Sequence, residues 1–93
     1  MNYVLIIHEV NDYAAWKQVF DAAAGIRKQA GEQSYQVLNY QHDKNKIVHF
    51  SRWESLARAR QFFESPALIE IRKQAGVQAP EFLYLDQLEQ GVL

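Results

Sequence analysis

The chain has no cysteine, which excludes disulfide staples, thiolate nucleophiles and cysteine-based metal sites. Proline occurs only at Pro66 and Pro80, so few positions forbid a helix or a paired strand. Its four glycines stand apart and form no phosphate-cradling loop. Neither sign of charge is in excess. The net charge is -1 and the basic residues are scattered, so a nucleic-acid partner is not expected. The longest apolar run at the start, Tyr3 to Ile7, is too short for a membrane span or a secretory signal and ends in His8-Glu9. These absences lead to the expectation of a soluble, cytoplasmic chain with no membrane partner. At 93 residues it forms one domain, 1–93, whose modest core is of the kind that leans on a partner chain.

What is present is periodicity. Tyr3-Val4-Leu5-Ile6-Ile7-His8 is a run suited to a central strand. Asn11 or Asp12 can cap a helix from Tyr13 to Ala30, with Tyr13, Trp16, Val19, Phe20, Ala23, Ile26 and Ala30 along its apolar stripe. Gly25 is expected to break it and Gly31 to end it. Ser34–Tyr40 reads as a second strand, Gln41–Lys46 as a hairpin loop, and Ile47–Trp53 as a third strand. Ser55 caps a helix carrying Leu56, Ala59, Phe62 and Phe63 inward. Ser65 caps a further helical segment from Pro66 to Ala75, which Gly76 stops. Phe82–Leu88 is the last strand.

One hexapeptide is written twice. Ile26-Arg27-Lys28-Gln29-Ala30-Gly31 returns as Ile71-Arg72-Lys73-Gln74-Ala75-Gly76, an offset of 45 residues. The same offset carries Leu5 onto Phe50 and His8 onto Trp53. The order strand, helix, strand, strand, helix, strand is thus two copies of one unit. That predicts an α+β, ferredoxin-like βαββαβ fold with a four-stranded antiparallel sheet and its first and third strands central.

Alternation along those strands gives two faces. One holds Tyr3, Leu5, Ile7, Val48 and Phe50. The other holds Val4, Ile6, His8, Ile47, His49, Ser51 and Trp53. The more apolar set is expected beneath the helices. The mixed set then faces outward and is covered by a second copy, giving a homodimer with sheets opposed around His8, His49 and Trp53.

Phe50-Ser51-Arg52-Trp53-Glu54-Ser55, followed by Ala57, Ala59, Phe62 and Ser65-Pro66, resembles the strand-to-helix signature of the antibiotic biosynthesis monooxygenase-like families of the dimeric α/β-barrel superfamily. Asp12-Tyr13-Ala14-Ala15-Trp16-Lys17 with Phe20-Asp21 is similar to the first helix of one branch of small bacterial members. The resemblance implies a dimeric barrel. In some members it implies oxidation of polyphenolic molecules without metal or flavin. Haem-degrading members carry a Trp and an iron-ligating His where this chain has Phe62 and Arg72, which speaks against haem. Quinone-forming members use an Asn and a Trp. Trp53 matches the Trp, and His8 stands in a place comparable to that of the Asn.

His8, His49 and Trp53 are therefore the candidate catalytic residues, since an imidazole beside an indole can bind and deprotonate a phenol. Tyr35, Ser51 and Tyr84 are candidate ligand-binding residues. No metal or cofactor is expected, because the histidines lack ligand spacing and no carboxylate is placed on their face. Arg58, Arg60, Arg72 and Lys73 are assigned to solvated helix faces. Two functions are compatible with this pattern. One is a cofactor-independent monooxygenase-like protein acting on or binding a small aromatic molecule. The alternative is a non-catalytic dimeric ligand-binding or stress-related module, in which the same residues only pack across an interface.

Overall fold

A computed structural model describes all 93 residues. Its elements are β1 (Asn2–Val10), α1 (Tyr13–Ala22), α2 (Ala24–Ala30), β2 (Glu32–Tyr40), β3 (Asp43–Trp53), α3 (Leu56–Phe63), α4 (Pro66–Gln74) and β4 (Val77–Asp86). The four strands form one antiparallel sheet in the order β2-β3-β1-β4, with the helices on one face. This is the ferredoxin-like α+β arrangement, with β1 and β3 central. No helix is long and apolar enough to cross a membrane.

The helices begin where their caps stand. Asp12 accepts from the Ala15 N–H at 3.0 Å, Ser55 from Arg58 at 3.1 Å and Ser65 from Leu68 at 3.3 Å. The first helix breaks at Ala23 rather than at Gly25. An arginine from the following segment serves each break: Arg27 donates to the Phe20 carbonyl, and Arg72 donates to the Phe63 carbonyl at 2.8 Å. The duplication is thus structural as well as textual. Gly76 ends α4 at φ +73 with Asn11 packed beneath it, where a Cβ would lie 3.0 Å from the Asn11 amide nitrogen.

The strands run further than their apolar residues suggest. Tyr40 pairs with Asp43, so the expected six-residue loop is a two-residue turn at Gln41-His42. β4 starts at Val77 and carries an irregularity opposite His8. There the register shifts between Ile7 and Glu9, and Ala79 takes φ 46 before Pro80. Beyond β4, Leu88, Val92 and Leu93 lie fully exposed.

The expected faces are exchanged. Val4, Ile6, His8, Ile47, His49, Ser51 and Trp53 are the residues buried under the helices. Tyr3, Leu5, Ile7, Val48 and Phe50 lie on the uncovered face with Leu38, Leu83 and Leu85. Alternation sorted the residues into the right sets, but apolar content does not say which set the helices cover. The mixed set tolerates burial because His49, Ser51 and Trp53 find hydrogen-bond partners there. Two clusters form the core. Val4, Ile6, Trp53, Ala59 and Phe63 make one, and Val10, Trp16, Phe20, Ile47 and Ala75 the other.

Candidate functional site

Between the two clusters lies a cavity of about 70 Å³ under the helices. Its wall is aliphatic and aromatic, with Ile6, Phe20, Phe62, Phe63 and Phe82 among the lining residues. Three polar side chains interrupt it: His49, Arg27 and Arg72. A water occupies about 30 Å³ in the liquid, so this space holds about two waters. An aromatic ring enters only if side chains of α3 and α4 move aside.

His49 is the best-placed group. Its Nε2 donates to Glu32 Oε2 at 2.9 Å, and Glu32 Oε1 accepts from Arg27 Nε at 2.7 Å. All three side chains are at least nine-tenths buried. Arg27 also lies 3.7 Å over the Phe20 ring, and Phe20 meets the His49 ring edge-on at 5.0 Å. Burial alone would raise the Glu32 pKa, but the hydrogen bonds and charges of His49 and Arg27 outweigh it, and the pKa is lowered. Glu32 is thus an anion. Its carboxylate engages Nε2 of His49 and so leaves Nδ1 as the ring nitrogen that the pair does not use.

Glu32 was not visible as a site residue because it falls between a helix stop and a strand, where acids are ordinarily solvated. The expected absence of a carboxylate on the histidine face is overturned by it. Arg27 and Arg72 were hidden for a related reason. The helix stripe shifts at Ala23, so Ile26 is 41% exposed while Arg27 is 4% exposed. Arg72 likewise lines the cavity instead of a solvated face. The readable signal was the doubled hexapeptide, which places an arginine at the same point of each half.

The remaining candidates fall in different places. His8 pairs with Ile47, and Trp53 pairs with Asn2, so the two share a face but sit at opposite ends of the antiparallel pair. The expected His8–Trp53 contact is therefore absent, because the duplication relates the two positions by a rotation rather than by proximity. Trp53 packs against Phe62 and Phe63, and its Nε1 donates to Ser51 at 2.8 Å. Both are wall behind the cavity rather than lining. Tyr35 is half-exposed at the edge of the Phe20–His49 group. Tyr84 lies on the same face but on the outer strand β4, opposite Val4 and 4.0 Å beneath the Arg60 guanidinium. Burial raises its pKa.

His8 is 95% buried beside Trp16 at 5.5 Å, and neither ring nitrogen has a hydrogen-bond partner. Burial, then the charges of His49 and Arg72, push its pKa from 6.5 down to about 4. Above pH 6.5 the ring is neutral whether the chain is folded or not. As pH falls from 6.5 towards 4, the unfolded chain takes up a proton that the folded chain refuses, so stability declines. The full loss is about 3 kcal/mol, using about 1.4 kcal/mol per pH unit. Glu32 adds its own loss only below its ordinary value of 4.5. Urea midpoints between pH 7 and 5 should therefore fall for the native chain and flatten in His8→Leu. An unchanged slope in that variant would place the proton uptake elsewhere.

Comparison with known proteins bears on the family and the fold. Residues 12–74 match the family model for antibiotic biosynthesis monooxygenase. Among solved structures, SnoaB, a cofactor-independent oxygenase from Streptomyces nogalater, superposes with TM-score 0.75 at 14% identity, over 96% of this chain and 93% of its own. Rv0793 from Mycobacterium tuberculosis gives 0.68 at 20% identity, over 99% and 100%. The ActVA-Orf6 monooxygenase of Streptomyces coelicolor, in complex with the ligand nanaomycin D, gives 0.64 at 18% identity, over 99% and 90%. At these identities the likeness is one of fold. No curated protein sequence matches the chain. With two-thirds of its length inside the family's own pattern, the chain belongs to the antibiotic biosynthesis monooxygenase family.

Proposed function

We propose that this chain is a cofactor-independent monooxygenase that oxidises a small phenolic aromatic in the space between sheet and helices, acting as a cytoplasmic homodimer. The observation that carries the reading is the Glu32–His49 pair in the wall of an apolar cavity. His49 Nδ1 takes a proton from the substrate, an anthrone or related phenol. The resulting anion is the reductant, and dioxygen is the oxidant. A C–O bond forms to give a hydroperoxide, which loses water, so that a CH₂ and O₂ become a C=O and H₂O. The proton held by His49 leaves with that water. The chain's own contribution is a dry apolar wall and a base whose free nitrogen is fixed by Glu32.

The test is oxygen uptake and quinone absorbance with dithranol, a dihydroxyanthrone, for the native chain and His49→Gln, which keeps a donor to Glu32. Loss of a positioned base predicts a fall of about 10²- to 10⁴-fold in kcat. An equal rate in His49→Gln overturns the assignment. The size of the cavity favours one other reading, a binding module without turnover. Dithranol that binds but is oxidised no faster than in buffer selects that reading.

The second copy is supported by the sheet face that no helix covers. Leu5, Ile7, Val48, Phe50, Leu83 and Leu85 supply an apolar face for it. The opposed sheets are thus the reverse sides of those expected from composition, with His8, His49 and Trp53 turned away from the partner.

A further inference from the structure

The two halves of the chain differ at one telling position. After Ile26–Gly31 comes Glu32, and after Ile71–Gly76 comes Val77. In the first half, Arg27 caps the Phe20 carbonyl, stacks on the Phe20 ring and is neutralised by Glu32. In the second half, Arg72 caps the Phe63 carbonyl and lies 5.1 Å over the Phe82 ring. Both line the same cavity. Arg72, however, has no carboxylate: the chain's ion pairs are Lys17–Asp21, Arg27–Glu32, Lys46–Glu9, His49–Glu32 and Arg58–Glu54. One half carries its counter-ion and the other presents a bare guanidinium to an apolar space.

An arginine remains charged under all ordinary conditions, and its planar fork matches a carboxylate. Arg72 is partly buried and held by the Phe63 carbonyl, and it has no counter-ion that an incoming anion would have to displace. We propose that Arg72 anchors a carboxylate on the ligand, taking the role that Glu32 plays toward Arg27, so that the ligands of this chain are aromatic carboxylic acids. This rests on the cavity being the binding site, as proposed above.

The experiment is calorimetric binding of a hydroxynaphthoic acid and of its methyl ester to the native chain and three variants. The native chain should prefer the acid by about ten- to a hundred-fold, the usual range for a charge-assisted hydrogen bond. Arg72→Gln should erase the preference while leaving ester affinity within about twofold. Arg72→Lys should retain part of it. Val77→Glu should erase it without touching the ligand, by restoring the missing counter-ion. A merely structural arginine would weaken acid and ester alike. Equal native affinities, or a preference that survives Arg72→Gln, overturn the inference. If acid and ester bind equally and His49→Gln still abolishes oxidation, only the acid specificity fails. If neither ring binds and His49→Gln is inert, the cavity itself is not the site.

Discussion

Glu32→Ala will destabilise the folded chain by about 3–5 kcal/mol, the usual cost of removing one member of a buried ion pair. Single domains hold about 5–15 kcal/mol in all, so this variant should sit near its unfolding midpoint. The cause is what remains behind. Arg27 would keep its charge while 96% buried, with only the Phe20 carbonyl and ring to face. His49 would lose the acceptor of its Nε2–H. Removing both charges together should cost less than the sum of the two single losses, because Glu32→Leu with Arg27→Met leaves no unpaired ion. Urea unfolding at neutral pH measures all of these. A Glu32→Ala loss below about 1 kcal/mol would mean that water reaches the site and the group is not buried in solution.

Phe50→Asp will convert the proposed homodimer to a single-chain species. Phe50 lies opposite Leu5 in the middle of the open face, with Tyr3 tilted against it at 5.0 Å between ring centres. A two-fold interface meets each substitution twice, so two carboxylates would enter the apolar centre. The expected weakening is about 4 kcal/mol or more, about a thousand-fold in the dimer Kd. Sedimentation at micromolar concentration should give twice 10.8 kDa for the native chain and that mass once for the variant. A native chain that sediments as one copy would remove the homodimer, and an unshifted variant would move the interface elsewhere.

The element order was legible because each element announces itself locally. Asp12, Ser55 and Ser65 cap the helices they precede, and Gly31 and Gly76 end them. The parity of β1 and β3 was legible too. The direction of the faces was not, since it depends on a partner supplied from elsewhere: Glu32 for His49. The break at Ala23 has no sequence signal, and it turned Arg27 inward against the periodicity. Of the six candidate residues, His49 lines the cavity. His8 lies close enough to feel the charges of His49 and Arg72. Ser51 and Trp53 support the wall, while Tyr35 and Tyr84 sit towards its flanks. A linear pattern gives the face of a residue, but distance along the sheet comes only from register.

The outer strands carry one more consequence. β2 is out of register near both ends, between Glu32 and Ser34 and between Asn39 and Tyr40. β4 is interrupted at Ala79-Pro80, where Pro80 has no N–H to offer a neighbour. Neither rim therefore presents a long, even ladder to which another chain could be stitched. Growth sideways into a fibre is obstructed, and in the proposed homodimer stacking through the greasy side is self-limiting because a two-fold contact uses up both surfaces.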